Sequence, residues 1–175
     1  TKKLVTVKWN DTTNFFQPPR AHHCSINNDC VEKFDHHCPW VGTTIGRRNY
    51  RHFLLFVFGT TLWCGFVVGS CVLSILVEID ERNDEVDPAT GKSVNTQAVT
   101  GALRASGAAL FCGIIALFGF MFVFALSAFH VVLIWQNQTT YENFRERSDA
   151  EKPYTRGNCC KNCFEIFCEP IPPSW

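Results

Sequence analysis

The sequence lacks a net charge and nearly lacks methionine. It carries 16 basic and 16 acidic residues, so no overall basic charge suggests a nucleic-acid partner. Its only methionine is Met121 and it starts at Thr1, so we expect a segment of a longer protein. A length of 175 residues favours one domain.

Charge is also missing from two long stretches. Residues 53–77 contain no charged side chain, and residues 105–135 contain one ionisable group, His130. Each stretch exceeds the roughly 20 residues that cross a bilayer. A buried helix of a soluble protein is the alternative, but it would carry a polar face, which neither stretch has. Small residues interrupt both stretches and would let membrane helices approach closely, so we predict two transmembrane helices.

Basic residues flank the two predicted spans, and acidic residues fill the connection between them. GRRNYRHF precedes the first span, EIDERNDEVD follows it, and five basic residues come after the second span. Because Lys and Arg near span ends stay in the cytosol, we predict that both termini are cytosolic. The predicted parts are a cytosolic segment 1–52, a span 53–79, a lumenal or extracellular loop 80–104, a span 105–135 and a cytosolic tail 136–175.

The ten cysteines do not predict a disulfide framework. Those outside the spans fall on the predicted cytosolic side, where thiols stay reduced. Residues 22–42, HHCSINNDCVEKFDHHCPWVG, concentrate cysteine and histidine, which are the usual zinc ligands. This segment has few large aliphatic side chains, so bound metal is one way to hold its fold.

The same stretch also contains the parts of a thiol nucleophile. Asp35, His36 and Cys38 lie within four residues. An imidazole can take the proton of a cysteine, and a carboxylate can orient that imidazole. The residues alone leave a metal site, a catalytic site or both open.

The position of this stretch shortly before the first span favours a substrate that lives in the bilayer. Burying each CH₂ of an acyl chain in lipid gains about 0.8 kcal/mol, while the polar thioester stays at the interface. Thiol attack on a thioester needs mainly positioning and a base. A fatty acyl thioester is therefore the expected substrate.

QPPRAHHC, FDHHCPWVG, NQTTYENF and NCCKNCFEIFCEP resemble motifs of the DHHC protein S-acyltransferases, also called palmitoyltransferases. The resemblance covers nearly the whole chain. It implies an α-helical integral membrane protein with at least four spans, of which this chain would hold the last two, and a small cytosolic Cys/His-rich β-hairpin domain. It also implies a multi-pass protein of the Golgi, endoplasmic reticulum or plasma membrane with a cytosolic active site.

The resemblance assigns catalytic roles. Cys38 would take an acyl group from acyl-CoA and pass it to cysteines of protein substrates, with His36 as general base and Asp35 orienting it. An accessory subunit would be a further partner.

The motifs after the second span would support this site. In the TTxE match, Thr140 would approach Asp35, and Glu142 would tie the tail to the catalytic domain. Asn162 matches an asparagine that helps to pack the family's tail.

Five residues are candidates for substrate binding, and Thr140 is one of them. Arg20 and His22 would meet the phosphates of coenzyme A, although basic residues here could equally bind lipid head groups. Trp40 follows the nucleophile and would partly shield its turn. Trp63 falls where the family places a residue that limits acyl-chain length, with a packing aromatic as the alternative.

The family pattern has two zinc sites with four ligands each, and this sequence keeps half of them. His23 and Cys30 remain of one site, and Cys24 and His37 remain of the other. Neutral residues stand at the remaining ligand positions, namely Asn10, Thr13, Asn27 and Thr44. A tetrahedral structural site needs four ligands, so zinc occupancy is in question.

Two outcomes are consistent with the missing ligands. Asp11 or Asp29 could add an oxygen ligand, or Asn and Thr could hydrogen-bond and hold the fold without metal, which we favour slightly. The missing ligands also favour an alternative function, a catalytically weak membrane scaffold or regulatory module. The complete Asp35, His36 and Cys38 set favours the enzyme.

Overall fold

The computed structural model describes residues 7–83, 95–145 and 154–171. Contacts divide the chain into two compact units. The first unit joins Thr1–Phe56 to Ala128–Trp175, and the second is Val57–Ser127. The predicted nucleophile and the predicted tail motifs therefore belong to the same unit.

Three small antiparallel hairpins precede the first long helix. Strand β1 (Trp9–Asn10) pairs with β2 (Phe15–Phe16), β3 (His22–Cys24) with β4 (Asp29–Val31), and β5 (His36–Cys38) with β6 (Thr43–Ile45). This finding confirms the predicted Cys/His-rich β-hairpin domain. Strands of two or three residues bury little surface by themselves, so their side chains must be fixed by neighbouring elements.

Turn residues with left-handed backbones close these hairpins. Asn14 has φ 52° and Asn28 has φ 55°, a region that asparagine tolerates better than most residues. Gly46 follows β6, where an added Cβ would lie 2.4 Å from Cγ1 of Val31 and 2.9 Å from the carbonyl oxygen of Glu32. The absence of a side chain at Gly46 therefore lets the second and third hairpins pack closely.

Five helices complete the described chain. They are α1 (Tyr50–Asn83), α2 (Asn95–Ala105), α3 (Gly107–Gln136), α4 (Thr140–Arg145) and α5 (Cys159–Phe167). The segments Tyr50–Arg82 and Gly107–Gln136 have mean hydropathies of 2.1 and 2.6 and are long enough to cross a membrane. The two predicted apolar stretches are thus two membrane-compatible helices.

Helix α1 extends at both ends beyond the predicted span 53–79, whereas α3 nearly coincides with the predicted span 105–135. Helix α1 continues to Asn83, and its last turns carry an i,i+4 ion pair with 2.7 Å between Nη2 of Arg82 and Oε1 of Glu78. Such pairs stabilise a helix outside an apolar environment. Helix α2 lies in the connection that the sequence predicts to be a loop. The sequence did not indicate this helix, because loop-forming residues precede it and its own polar pattern is short.

The core of the first unit draws on several separate segments. Buried apolar residues come from β3, β5, β6, the start of α1, the end of α3 and the tail helix α5. They include Cys24, Cys38, Ile45, Phe53, Leu54, Leu133 and Ile166. The hairpins are therefore anchored to the starts and ends of helices rather than to one another alone.

In the second unit, small residues lie where α1 and α3 come close. A Cβ on Gly65 would lie 3.2 Å from the Phe120 ring, and one on Gly113 would lie 3.2 Å from Cβ of Cys71. The hydroxyl oxygens of Thr61 and Ser127 are 2.7 Å apart. Close backbone approach and an interhelical hydrogen bond are the usual means by which membrane helices associate.

Replacing Gly113 with leucine should weaken this helix pair. The added side chain has no room beside Cys71, and overpacking of this kind costs about 1–3 kcal/mol. The Tm of the full protein purified in detergent should fall. Gly69→Leu is the matched control, because nothing lies within 4 Å of a Cβ at Gly69. Equal Tm values for the two variants would contradict the packing described here.

Candidate active site

Hairpin β5–β6 places the predicted catalytic residues. The backbone N–H of Asp35 donates to the carbonyl of Ile45 at 2.9 Å, directly before β5. Within a strand, side chains alternate between the two faces. His36 and Cys38 are separated by two positions on β5, so they share a face, while His37 points to the opposite one.

The structure brings Asp35, His36 and Cys38 together. Nδ1 of His36 lies 2.6 Å from Oδ2 of Asp35, and Cys38 lies two positions further on β5 and acts with Asp35 to raise the pKa of His36. Because Nδ1 is used by the carboxylate, Nε2 is the nitrogen left for the thiol. Asp35 is 2 % exposed and Cys38 is 6 % exposed, whereas the His36 side chain is 29 % exposed. The carboxylate and the thiol are therefore shielded from water, and the imidazole between them is partly open to it.

Thr140 binds the same carboxylate twice. Its backbone N–H donates to Oδ1 of Asp35 at 2.7 Å, and its hydroxyl donates to Oδ2 at 2.8 Å. A reciprocal capping box fixes the start of α4, because the Thr139 N–H donates to Glu142 at 2.9 Å and the Glu142 N–H donates to the Thr139 hydroxyl at 3.2 Å. The expected approach of Thr140 to Asp35 is therefore a pair of hydrogen bonds from a capped helix end.

These contacts set the charge states of Asp35 and His36. Burial alone would raise the pKa of Asp35, but hydrogen bonds from His36 and Thr140 outweigh burial and lower it. Burial alone would lower the pKa of His36, but its hydrogen bond with Asp35 and the influence of Cys38 outweigh burial and raise it. Asp35 is therefore ionised at neutral pH, and His36 is a stronger base than an ordinary histidine.

Arg20 lies in a buried ion pair rather than at a free surface. Its Nε and Nη2 donate to the two oxygens of Glu142 at 2.7 and 2.9 Å, and the two side chains are only 10 % and 6 % exposed. Bidentate pairs of this type fix orientation strongly. Glu142 thus ties α4 to the segment before β3, while the predicted contact of Arg20 with coenzyme A stays a prediction.

Asn137 is a site residue that the sequence analysis missed. It follows α3 with φ 50° and is 1 % exposed. Its Oδ1 accepts from Nη1 of Arg20 at 3.2 Å, and its Nδ2 donates to Glu165 at 2.7 Å and to the carbonyl of Tyr154 at 2.9 Å. An asparagine directly after an apolar stretch is the only signal for it, since asparagine suits a left-handed helix end.

Asn162 packs the tail, in agreement with the expectation. This residue of α5 is 1 % exposed. Its Nδ2 donates to the carbonyl of Trp135 at 2.6 Å, and its Oδ1 accepts the backbone N–H of Arg156 at 2.9 Å. Asn137 and Asn162 therefore satisfy the end of α3 and attach the tail to it.

The remaining predicted substrate residues are spread over the chain. The His22 ring lies 4.0 Å from the Tyr141 ring between centroids. Trp40 is 83 % exposed in the β5–β6 turn and so shields that turn less than expected. Trp63 lies on α1 in the second unit and is 67 % exposed. The roles of these residues in substrate binding stay predictions.

Tyr50 and His130 form a second polar contact that the sequence analysis did not anticipate as a pair. The Tyr50 hydroxyl lies 3.1 Å from Nδ1 of His130, and both residues are buried. The His130 ring centroid is 5.1 Å from that of Phe53 and 6.4 Å from that of His36. His130 thus packs helix ends together behind the imidazole of His36.

The structure brings the four expected metal ligands together only in pairs. His23 is the register partner of Cys30, and Sγ of Cys24 lies 3.9 Å from Nδ1 of His37. Among residues 7–83, 95–145 and 154–171, no three His, Cys, Asp or Glu side chains could hold a metal together, so neither Asp11 nor Asp29 completes a site. Two ligands do not close a tetrahedron, and the described residues do not fit a structural zinc ion.

Comparisons with known proteins agree with the motifs. A family model described as DHHC palmitoyltransferase matches residues 5–147. Probable protein S-acyltransferase 6 of Arabidopsis thaliana is 43% identical over 98% of this chain and 39% of its own length. Palmitoyltransferase ZDHHC9 of Homo sapiens is 36% identical over 98% of this chain and 44% of its own length. The chain thus spans less than half the length of these relatives.

Asp35→Asn should shift the pH dependence of any reaction that uses His36 as a base. The carboxylate raises the pKa of His36, so removing its charge should move the acid limb of the rate profile to lower pH. The maximal rate should also fall, by roughly 10²–10⁴-fold, because the imidazole is no longer oriented. Rates of thiol acylation between pH 5 and 9 measure both effects. Asp29→Asn, an exposed carboxylate on β4, is the control, and an unmoved acid limb in Asp35→Asn would count against the assignment.

Arg20→Ala and Arg47→Ala should differ sharply in stability. Truncating Arg20 leaves the buried Glu142 unpaired, which should lower the free energy of unfolding by about 3–5 kcal/mol. Arg47 pairs with Glu32 at 3.1 Å on the surface, with side chains 48 % and 39 % exposed, and such pairs contribute about 0–1 kcal/mol. Thermal unfolding of the full protein in detergent gives both values. A small effect of Arg20→Ala would show that Glu142 is solvated instead.

Proposed function

This chain belongs to the DHHC palmitoyltransferase family, and we propose from that premise that the protein containing it is a protein S-acyltransferase. It would move a long-chain acyl group from acyl-CoA to cysteines of other proteins. The observation that carries this proposal is the close set of Asp35, His36 and Cys38, in which the carboxylate and the thiol are buried. A thiol, a base and a group that orients the base are the parts that nucleophilic acyl transfer requires.

The first step acylates Cys38. Nε2 of His36 takes the thiol proton, and the thiolate attacks the carbonyl carbon of the acyl-CoA thioester. The bond from that carbon to the coenzyme A sulfur breaks, and the released thiolate receives the proton from His36. Asp35 stays ionised throughout and stabilises the imidazolium, as its lowered pKa requires.

The second step returns the enzyme to its starting state. His36 takes the proton of a substrate cysteine, whose thiolate attacks the acyl-Cys38 carbonyl. The bond to the Cys38 sulfur breaks and His36 returns the proton to it. Each step exchanges one thioester for another, so the site must supply positioning and proton transfer rather than a large driving force.

Contacts of the catalytic histidine support a substrate drawn from the bilayer. The His36 ring packs edge-on against Phe53, with centroids 5.2 Å apart, and Phe53 lies in the first turn of the membrane-compatible helix α1. The reacting atoms therefore adjoin the point where the chain becomes apolar. An acyl chain can remain in lipid while its thioester reaches Cys38.

A cavity of about 340 Å³ supports the predicted role of His22. Arg20 and His22 both line it, together with Lys8 and Arg145. Burial lowers the pKa of His22, and the charge of Arg145 adds to this effect, so His22 offers a hydrogen bond rather than a charge. Since Glu142 neutralises Arg20, Lys8 and Arg145 would supply the positive charge for coenzyme A phosphates.

The cellular setting is part of the same proposal. Basic residues flanking the spans support a cytosolic active site in a multi-pass protein of the Golgi, endoplasmic reticulum or plasma membrane. Helices α1 and α3 would be the last two spans of a four-span core. Trp63 would limit the length of the bound acyl chain. An accessory subunit would complete the assembly.

Labelling with a clickable long-chain acyl-CoA tests the proposal. The full protein purified in detergent should acquire a label that hydroxylamine removes, because the acyl group is bound as a thioester. Cys38→Ser should abolish the label. Cys160→Ser, which alters an exposed thiol of the tail, should retain it.

A folded wild-type protein that acquires no label would overturn the proposal of an enzyme and favour a membrane scaffold or regulatory module. A label that survives in Cys38→Ser would place the nucleophile elsewhere. Thermal unfolding of each variant establishes that it is folded.

A further inference from the structure

Cys24, His37 and Thr44 form a polar cluster between two hairpins, in which Cys24 and Thr44 are buried and His37 is half-buried. Cys24 is on β3, and His37 and Thr44 face each other across β5 and β6. The Thr44 hydroxyl lies 3.0 Å from Sγ of Cys24 and 3.2 Å from Nδ1 of His37. Cys24 and Thr44 are 4 % and 5 % exposed, so these groups have little access to water.

The Thr44 hydroxyl can bind both of its neighbours at once. It donates its proton to the sulfur of Cys24. Its oxygen can accept from Nδ1 of His37 in the tautomer that carries a hydrogen on that nitrogen. A nitrogen that carries a hydrogen has no lone pair for a metal. Hydrogen bonding by this cluster and metal coordination through Nδ1 of His37 therefore exclude each other.

In the first hairpin, too, a hydrogen-bonding side chain stands where the family resemblance implies a metal ligand. Oδ1 of Asn10 accepts the backbone N–H groups of Thr12 and Thr13 at 2.9 and 3.2 Å. A side-chain oxygen that binds two successive N–H groups closes a turn by itself. Asn10 thus fixes the local backbone at a position where the family resemblance implies a thiolate ligand.

We propose that the Thr44 hydroxyl replaces a zinc ion by joining Cys24 of one hairpin to His37 of the next through hydrogen bonds. The cluster holds the second and third hairpins in place, and it keeps His37 and the rest of β5 positioned independently of metal supply. This proposal concerns the stability of the hairpin domain and does not depend on the proposed transferase activity.

Zinc content and thermal unfolding of the full protein in detergent test the proposal. Wild type and Cys24→Ser should contain equal amounts of zinc, and a strong chelator should leave the wild-type Tm unchanged. Zinc that is present in wild type and lost in Cys24→Ser, or a Tm that a chelator lowers, would overturn the proposal.

Variants of Thr44 test the hydroxyl directly. Thr44→Val keeps the shape but leaves Cys24 and His37 without their shared partner, so the Tm should drop by several degrees. Thr44→Ser keeps the hydroxyl and should restore most of the lost Tm. Thr43→Val, which removes the neighbouring hydroxyl of the same strand, is the control. Equal effects of Thr44→Val and Thr43→Val would refute the role of Thr44.

Restoring thiols should convert the cluster to a metal site. The double variant Asn27→Cys/Thr44→Cys offers four zinc ligands with Cys24 and His37. It should gain one equivalent of zinc and a Tm that a chelator lowers. A double variant that is folded but gains no zinc would contradict the idea that the cluster occupies a metal position.

Discussion

The buried carboxylate of Asp35 is the constraint on which the site depends. An ionised group that is 2 % exposed needs a donor for each oxygen. One oxygen receives the Thr140 N–H, and the other receives the Thr140 hydroxyl and His36. The hairpin that carries the nucleophile and the helix that begins the tail are therefore joined at this one charge. The orientation of the base follows from the same contacts.

Strand alternation explains how two adjacent histidines serve different purposes. His36 shares a face with Cys38 and would take up its proton in the proposed reaction, whereas His37 points away and joins Cys24 and Thr44. A helix would have separated these residues differently, so the short strand β5 is essential to the motif. The three-residue strand is stabilised from both sides, by a carboxylate on one face and by a buried hydroxyl on the other.

The sequence predicted that Asp35, His36 and Cys38 lie together and that two apolar helices form, because both features are encoded locally. Composition marks a membrane-compatible helix, and Asp35, His36 and Cys38 are close together in the chain. The Arg20, Asn137 and Glu142 network was not predictable in this way, since Arg20 and Asn137 are 117 positions apart. No periodicity relates such residues, and only the folded chain shows that Arg20 binds Glu142 instead of remaining free. The hydrogen bonding of Thr44 was an open alternative until its partners were seen.

The distance along the chain between Asp35 and Thr140 has a consequence for biosynthesis. The two donors from Thr140 come 105 positions after the carboxylate that they bind. While the chain is being synthesised, both helices must emerge before those donors are available. The thiol is therefore made early but receives a fully oriented base only after the ribosome has passed the second span.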